Sequence, residues 1–380
     1  MSKKLITKPL EFIDLFSGCG GFSTGLEMAG HKCLLGVDFN VDAIKSFDYN
    51  HYHSNSFCGD IKKLTPTHLY KLLNGKKKVD MVVGGPPCQG FSTVGRGKAD
   101  DDRNSLFKEF VRVVKLLSPK IILFENVTGM LAQKNRKTLH NIFSEFEKLG
   151  YQMDARVMSA HEYGVPTTRR RAIIMGVKGG ACMFPEKSSL DNPLTVREAI
   201  GNIRSIDGQT YNHDTSGAKI KNQDDAKRLK HIPTGAGIRY ERDQKKYLPK
   251  SLWYDVNWQT LREKRFRQTR LQRLAWDLPS PTILTSRTSY YHPKDNRYLT
   301  IREAAACQSF PNEFVFQGSL TSAFRQIGNA VPPGLAMAIG EVLYDIEKKS
   351  VRKNLSKDLE DDHFTEKSLG DAFRYQRPTT

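Results

Sequence analysis

Cys88 stands where a nucleophile would be useful. It lies in Gly84-Gly85-Pro86-Pro87-Cys88-Gln89-Gly90-Phe91-Ser92, directly after the apolar run Val79-Asp80-Met81-Val82-Val83. That run reads as a buried strand, and the paired glycines and prolines that follow stop it and stiffen the turn. Open α/β sheets bind ligands in the crevice at their strands' carboxyl ends, so a thiolate there can attack an electrophilic carbon. The alternative is a small buried hydrophobe on a tight turn, which for a cysteine taken alone is the better account. The elements around it decide.

Those elements alternate. Glu11 to Phe16 reads as a strand running into the glycine-rich turn Ser17-Gly18-Cys19-Gly20-Gly21-Phe22. A helix follows from about Ser23 to Ala29, closed by Gly30. Cys33 to Val37 is a second strand ending at Asp38. An acid about 20 residues after a glycine turn, at the end of the next strand, suits a nucleotide-like ligand whose ribose hydroxyls it grips. The turn is not G-x-G-x-x-G, so alone it says little. A strand from Ser54 to Cys58 leads to Gly59-Asp60-Ile61, a second acid at the same sheet edge. Either acid alone could be a helix N-cap or a solvated loop residue; two acids facing one turn favour a ligand. Val79 to Val83, Lys120 to Phe124, Tyr151 to Ser159 and Arg171 to Val177 supply further strands, with helices near Leu106 to Leu117 and Lys137 to Leu149. The pattern predicts a doubly wound α/β domain.

The chain's 59 Lys and Arg against 41 Asp and Glu give +18. That excess favours an anionic partner, most often nucleic acid, although a merely soluble basic protein carries one too. No apolar run approaches the ~20 residues of a membrane span, and the start Met1-Ser2-Lys3-Lys4 leads into too short an apolar stretch for a signal peptide. Cys19, Cys33, Cys58, Cys88, Cys182 and Cys307 form no C-x-x-C pair. No zinc site, other metal site or disulfide framework is expected, and a reducing cytoplasm is.

Five stretches, in this order, are similar to the motifs of DNA cytosine-5 methyltransferases: Asp14-Leu15-Phe16-Ser17-Gly18-Cys19-Gly20-Gly21-Phe22, Gly59-Asp60-Ile61, Pro86-Pro87-Cys88-Gln89-Gly90-Phe91-Ser92, Glu125-Asn126-Val127 and Gln326-Ile327-Gly328-Asn329. The resemblance runs from Glu11 to Glu347. It implies a Rossmann-like domain that binds S-adenosylmethionine. Phe16, Ser17, Gly18, Cys19 and Gly21 would lie under the methionine part, and Asp38 would take the ribose with Phe39 against the adenine. Asp60 and Ile61 would meet the adenine edge, and Pro87 the far wall. Asn329 would close the pocket from the C-terminal helix near Pro332 to Ile346, folded back beside the first strand.

The same resemblance gives roles in catalysis. Cys88 would add to C6 of a cytosine so that C5 can accept a methyl group. Glu125, as a neutral or proton-sharing carboxyl, would contact N3 and the exocyclic amine, a role that burial would support. Arg169 and Arg171 alternate along a strand, which puts them on one face; they would meet cytosine O2 and hold Cys88 and Glu125, leaving Arg170 to touch phosphate. Many members of the family have Gln where Thr167 stands, a departure that weakens any role for that position. No side chain stands out as the base for the C5 proton, so water is the expected agent. The cytosine must leave the duplex to be reached. The stretch from Thr93 to Asn104 resembles the loop that closes over it, with Ser92, Val94 and Arg96 as residues of the flipping step, and Lys98 and Arg103 in reach of phosphates.

From about Gly179 the alternation stops. Residues 221–273 carry 15 Lys and Arg against 6 Asp and Glu, a difference of +9, half the chain's excess. Trp253, Trp258 and Trp276 lie in or just beyond that interval. Basic residues with interleaved aromatics suit a groove-facing surface; equally, aromatics make a core. By resemblance this is a smaller, irregular target-recognition domain, with Thr282 of Leu278-Pro279-Ser280-Pro281-Thr282-Ile283-Leu284 helping to hold the extruded nucleotide. Arg297 to Ala305 resembles its organising helix. The expected division is 1–178 catalytic, 179–300 recognition, 301–349 return and 350–380 a charged tail. The expected substrate is a short sequence in double-stranded DNA, modified by a monomer in a bacterial or phage setting, with a cognate restriction endonuclease as partner. A tRNA methyltransferase of the same fold is the rival; Gly90 and the long basic interval argue for DNA.

Overall fold

The computed structural model describes residues 8–87, 103–188, 193–203 and 213–348, without the side chains of 103–105, 347 and 348. Cys88, Ser92, Val94, Arg96 and Lys98, and the tail from residue 350, lie outside the described residues. The chain divides into two compact units, one of residues 1–159, 170–187 and 331–380, the other of 160–169 and 188–330.

The first unit is built on seven strands: β1 (Glu11–Leu15), β2 (Lys32–Asp38), β3 (Asn55–Cys58), β4 (Met81–Gly84), β5 (Ile121–Asn126), β6 (Tyr151–Ser159) and β7 (Arg170–Lys178). Their order is β3-β2-β1-β4-β5-β7-β6. The first five run parallel, and β7 runs antiparallel to both β5 and β6. The order reverses between β1 and β4, which opens a crevice at the strands' carboxyl ends. The doubly wound expectation holds, with an antiparallel edge added. The run Ile121-Ile122-Leu123-Phe124 is buried throughout, as a strand covered on both faces must be.

Between strands lie α1 (Gly21–Met28), α2 (Val41–Asn50), α3 (Pro66–Leu72), α4 (Arg103–Leu117) and α5 (Arg136–Glu147). Gly30, at φ +93°, ends α1: its N–H donates to Glu27 O and the next N–H, of His31, to Leu26 O. That is the glycine-closed end expected from sequence. Phe107 and Phe110 of α4, Phe124 of β5 and Phe146 of α5 form an aromatic cluster with ring centres 5.5–6.5 Å apart. Burial of each such ring stabilises by about 1.5–3 kcal/mol. The cluster fixes the carboxyl end of β5, one residue before Glu125.

The second unit contains α6 (Val196–Ile200), α7 (Gln223–Leu229), β8 (Ile238–Tyr240), α8 (Glu241–Tyr247), β9 (Arg265–Arg270), α9 (Ile301–Cys307) and α10 (Leu320–Asn329). Its helices are short and rely on caps; Thr195 with Glu198, and Thr300 with Glu303, form capping boxes. Trp258 is buried and Trp253 packs on the same core, with Leu229, Ile238, Phe266, Tyr291 and Tyr298. Trp276 is half-buried beneath Arg197, whose guanidinium lies 5.3 Å from the ring centre. Trp253 and Trp258 therefore go to the core, while Trp276 lies under an arginine at the surface. Part of the basic excess is also internal. Arg273, 3% exposed, donates to the carbonyls of Ile232, Leu229, His292 and Asp295 and to Asn296. Arg302, 1% exposed, holds the carbonyls of Phe310, Pro311 and Asn312. Beside it, the buried Glu303 takes both arms of Arg297 at 2.7 Å, which brings its carboxyl down to about 2 against the cost of burial.

The last helix, α11 (Pro333–Lys348), belongs to the first unit. It packs on α1, not beside β1 as expected. Tyr344 donates to Ala29 O at 3.2 Å and stacks on His31, whose Nε2 meets Gly340 O at 2.8 Å. Gly25 makes the approach possible: a Cβ there would lie 2.2 Å from Pro333 O and 2.5 Å from Ala336 Cβ. A backbone oxygen cannot step aside. Gly25→Val is therefore expected to destabilise the protein by about 3 kcal/mol, the upper end for overpacking, seen as a lower denaturation midpoint in urea at unchanged slope.

Candidate active site

At the β1 end of the crevice the chain turns sharply. Phe16, Gly18 and Gly20 have φ of +60°, +55° and +92°. Positive φ at a bulky residue such as Phe16 is strained, and such strain gathers at functional turns. A Cβ on Gly18 would meet nothing within 4 Å, so this backbone borders open space. On the other side, a Cβ on Gly20 would lie 2.3 Å from His51 Nε2. Buried His51 meets Glu27 at 2.7 Å through Nδ1 and Thr24 Oγ1 at 3.4 Å through Nε2; Thr24 donates to Gly20 O at 2.8 Å. This network, unread in the sequence, props the turn from behind.

Asp38 fastens the turn from the front. Its Oδ2 accepts the Gly18 N–H at 2.9 Å and its Oδ1 the Asn40 N–H at 2.8 Å. Burial raises this carboxyl above its usual range against those bonds. The Phe39 N–H bonds to it as well, so three backbone donors hold this acid at the turn. Next to it Phe39 is 75% exposed, an apolar ring with an uncovered face. Asp14, at the back, accepts from Ser23 Oγ at 2.7 Å, and burial pushes its carboxyl up to about 7. Cys19 is enclosed, with its thiol pushed up to about 12 by burial, and Gly21 and Ser17 are buried too. Asp60 caps the short turn at Ile61 by accepting the Lys62 N–H at 3.0 Å. Arg112 of α4 donates to Ile61 O at 2.9 Å, which ties that wall to the core.

At the β4–β5 end, Glu125 meets Arg171 through an ion pair between Oε1 and Nε, both side chains less than a fifth exposed. The register explains the meeting. Glu125 pairs with Ile173 across the antiparallel β5–β7 ladder, so Arg171, two residues before Ile173, is its diagonal neighbour on the same face. A Cβ on Gly85 would stand 3.6 Å from Glu125 Oε2. Asn126, buried, donates to Pro86 O at 3.0 Å and accepts the Val127 N–H at 2.9 Å. Pro87, half-buried, is the last described residue before Cys88. The carboxyl strand thus holds the turn that leads to the cysteine.

The remaining expected residues fall in the second unit. Arg169 precedes β7 and is 1% exposed; its Nη1 donates to Gly328 O at 2.8 Å. It does not share a strand with Arg171, because pairing starts at Arg170. Thr167, given little weight in the sequence, is fully buried, and its hydroxyl donates toward Ser280 O and Pro281 O at 3.2 and 3.1 Å. With Thr168 N–H to Ser280 O at 2.8 Å, it fixes the turn that ends at Thr282. Thr282 is half-buried, and its carbonyl accepts from Tyr290 at 3.1 Å. Asn329 ends α10, one helix earlier than expected.

A family model for C-5 cytosine-specific DNA methylases matches residues 10–345. The chain belongs to that family. This methylase is 37% identical to the Type II methyltransferase M1.HphI of Haemophilus parahaemolyticus over 90% of its own length and 89% of the relative's. It is 33% identical to the Type II methyltransferase M.DdeI of Desulfomicrobium norvegicum, covering 87% and 88%. Among solved structures, a candidate DNA modification methyltransferase encoded within an E. coli prophage superposes with a TM-score of 0.69 at 26% identity, over 90% of the methylase and 100% of that chain. Among the methylase's described residues no helix is long and apolar enough to cross a membrane.

Proposed function

We propose that this methylase transfers a methyl group from S-adenosylmethionine to C5 of a cytosine extruded from a short specific sequence in double-stranded DNA, through a temporary bond between Cys88 and C6. The observation that carries the reading is the Glu125–Arg171 pair, set by strand register beside the Gly85–Pro87 turn, with Asn126 tying that turn to the carboxyl strand.

The glycine turn fits the cofactor. Gly18 borders open space, Asp38 stands beside it as the acid for the ribose, and the uncovered Phe39 ring can stack on a purine. Phe16, Ser17, Gly18, Asp38, Phe39, Asp60, Ile61, Pro87 and Asn329 are the residues we assign to it, with Cys19 and Gly21 supporting the turn from inside. Bound there, S-adenosylmethionine supplies an electrophilic methyl group on a sulfonium. Cys88 adds to C6 as the thiolate, which makes C5 electron-rich. Glu125 contacts N3 and the exocyclic amine while charge builds on the ring. Arg171 holds the Glu125 carboxyl in place, and Arg169 steadies the Gly328 backbone beside Asn329. Water takes the C5 proton, and the sulfur then leaves. Ser92, Val94, Arg96 and Thr282 are assigned to base extrusion.

The relatives are named Type II methyltransferases, and we assign the same setting to this chain: a modification enzyme acting as a monomer beside a restriction endonuclease of matching specificity. Incubation with methyl-labelled S-adenosylmethionine and either duplex DNA or tRNA tests the substrate class. Label is expected in DNA at one short sequence, mapped by bisulfite sequencing; label in tRNA alone would overturn the reading.

A further inference from the structure

Within the second unit an open cleft of about 770 Å³ lies between β9 and the segment holding Thr288 and Ser289. Its floor is aromatic and fixed. Phe266, Tyr291 and Tyr298 are buried, and Tyr254 is clamped by Arg228 at 4.2 Å and Arg270 at 5.2 Å from its ring centre. Its rim is polar: Arg267, Gln268 and Thr288 line it and are exposed.

The neighbouring cations are engaged within the unit. Arg228 pairs with Asp225 at 3.2 Å and donates to Leu252 O at 2.8 Å. Arg270 lies over Phe266 at 4.4 Å, Arg265 pairs with Glu263, and Arg273 is buried among carbonyls. Arg267 differs. Among the described residues, neither its guanidinium nor the Gln268 amide has a hydrogen bond or ion pair. Two side chains with planar, two-point hydrogen-bonding ends therefore stand unused on a rigid base, in the unit that carries half the chain's positive excess.

We propose that this rim reads base edges in the major groove, with Arg267 on a guanine and Gln268 on an adenine of a neighbouring pair. A guanidinium fork matches the two adjacent acceptors, O6 and N7, that guanine presents there. A carboxamide's donor and acceptor match adenine N7 and N6–H. The β8–β9 register is irregular between Arg265 and Arg270, a bulge that lets these two neighbours project from one rim, each toward its own base pair. The aromatic floor keeps β9 from yielding when the groove is engaged. An arginine fork fits a phosphate as well as a guanine; the neutral carboxamide of Gln268 beside it brings no charge for a phosphate but matches a base edge.

This inference rests on duplex DNA being the substrate, and the test separates the two. The full-length enzyme methylates a duplex library randomised around its target, and bisulfite sequencing records which sequences are modified. The wild type is expected to require one guanine that Arg267→Ala and Arg267→Lys no longer require, with discrimination at that position falling by about 5- to 150-fold. Gln268→Ala relaxes a different position. The dependence of DNA binding on salt keeps its slope in Arg267→Ala, since no phosphate contact is lost. A uniform loss over all sequences with a shallower salt slope, an unchanged preference, or total inactivity of both Arg267 variants would overturn the assignment. A wild type that modifies no duplex cytosine would sink the parent reading instead.

Discussion

Cys88→Ala is expected to lower methyl transfer by at least about 10⁴-fold, the scale on which removal of an enzyme nucleophile acts, while duplex DNA binding persists. The two halves separate because in the proposed mechanism the thiol acts only on the extruded base, whereas affinity for DNA comes mainly from phosphate contacts. Duplex carrying 5-fluorocytosine at the target sharpens the test. Fluorine at C5 cannot leave as a proton, so the sulfur–C6 bond formed by the wild type should persist and survive denaturing electrophoresis. Cys88→Ala should give no such adduct. A trapped complex in the variant, or turnover within tenfold of the wild type, would remove Cys88 from its role.

Glu125→Gln is expected to reduce kcat by about 10²- to 10⁴-fold, the range for loss of a positioned acid–base group, with little change in KM for DNA. Its shape is kept and its neighbours stay; only the ionisable oxygen is lost. Arg171→Ala should differ. Both side chains are less than a fifth exposed; Glu125→Gln keeps an oxygen that can accept from Arg171, whereas Arg171→Ala removes charge and donors together, at a cost of about 3–5 kcal/mol in a buried pair. That variant is expected to lose thermal stability as well as kcat, and Arg171→Lys to recover the stability more fully than the rate, because a point charge cannot copy the fork. Equal losses of Tm in Glu125→Gln and Arg171→Ala would mean that the pair is structural and nothing more.

Much of the first unit was legible because its sequence obeys strict periods. Buried parallel strands read as unbroken apolar runs, and Ile121-Ile122-Leu123-Phe124 leaves no other option. Gly30 announced the end of α1 because few residues other than glycine take φ near +93° at little cost. The antiparallel course of β7 was not legible, since strand direction leaves no mark on composition. Arg169 and Arg171 looked equivalent by alternation; they differ because ladder pairing starts between them, at Arg170. In the second unit the basic count does not separate buried cations from exposed ones. A guanidinium such as that of Arg273 serves a carbonyl cluster as readily as a phosphate, and only coordinates tell the two apart. Thr167 was discounted for departing from a common pattern, yet its short hydroxyl is what spans to Ser280 and Pro281.

The diagonal that joins Glu125 to Arg171 has a corollary. Side chains on a ladder alternate, so a one-residue slip of β7 against β5 would bring Arg170 or Ala172 to the carboxyl and turn Arg171 away. Such a slip is all-or-nothing, whereas the loop of residues 160–169 that leads into the strand belongs to the second unit. The register of that strand is therefore held far more tightly than the length of the loop before it.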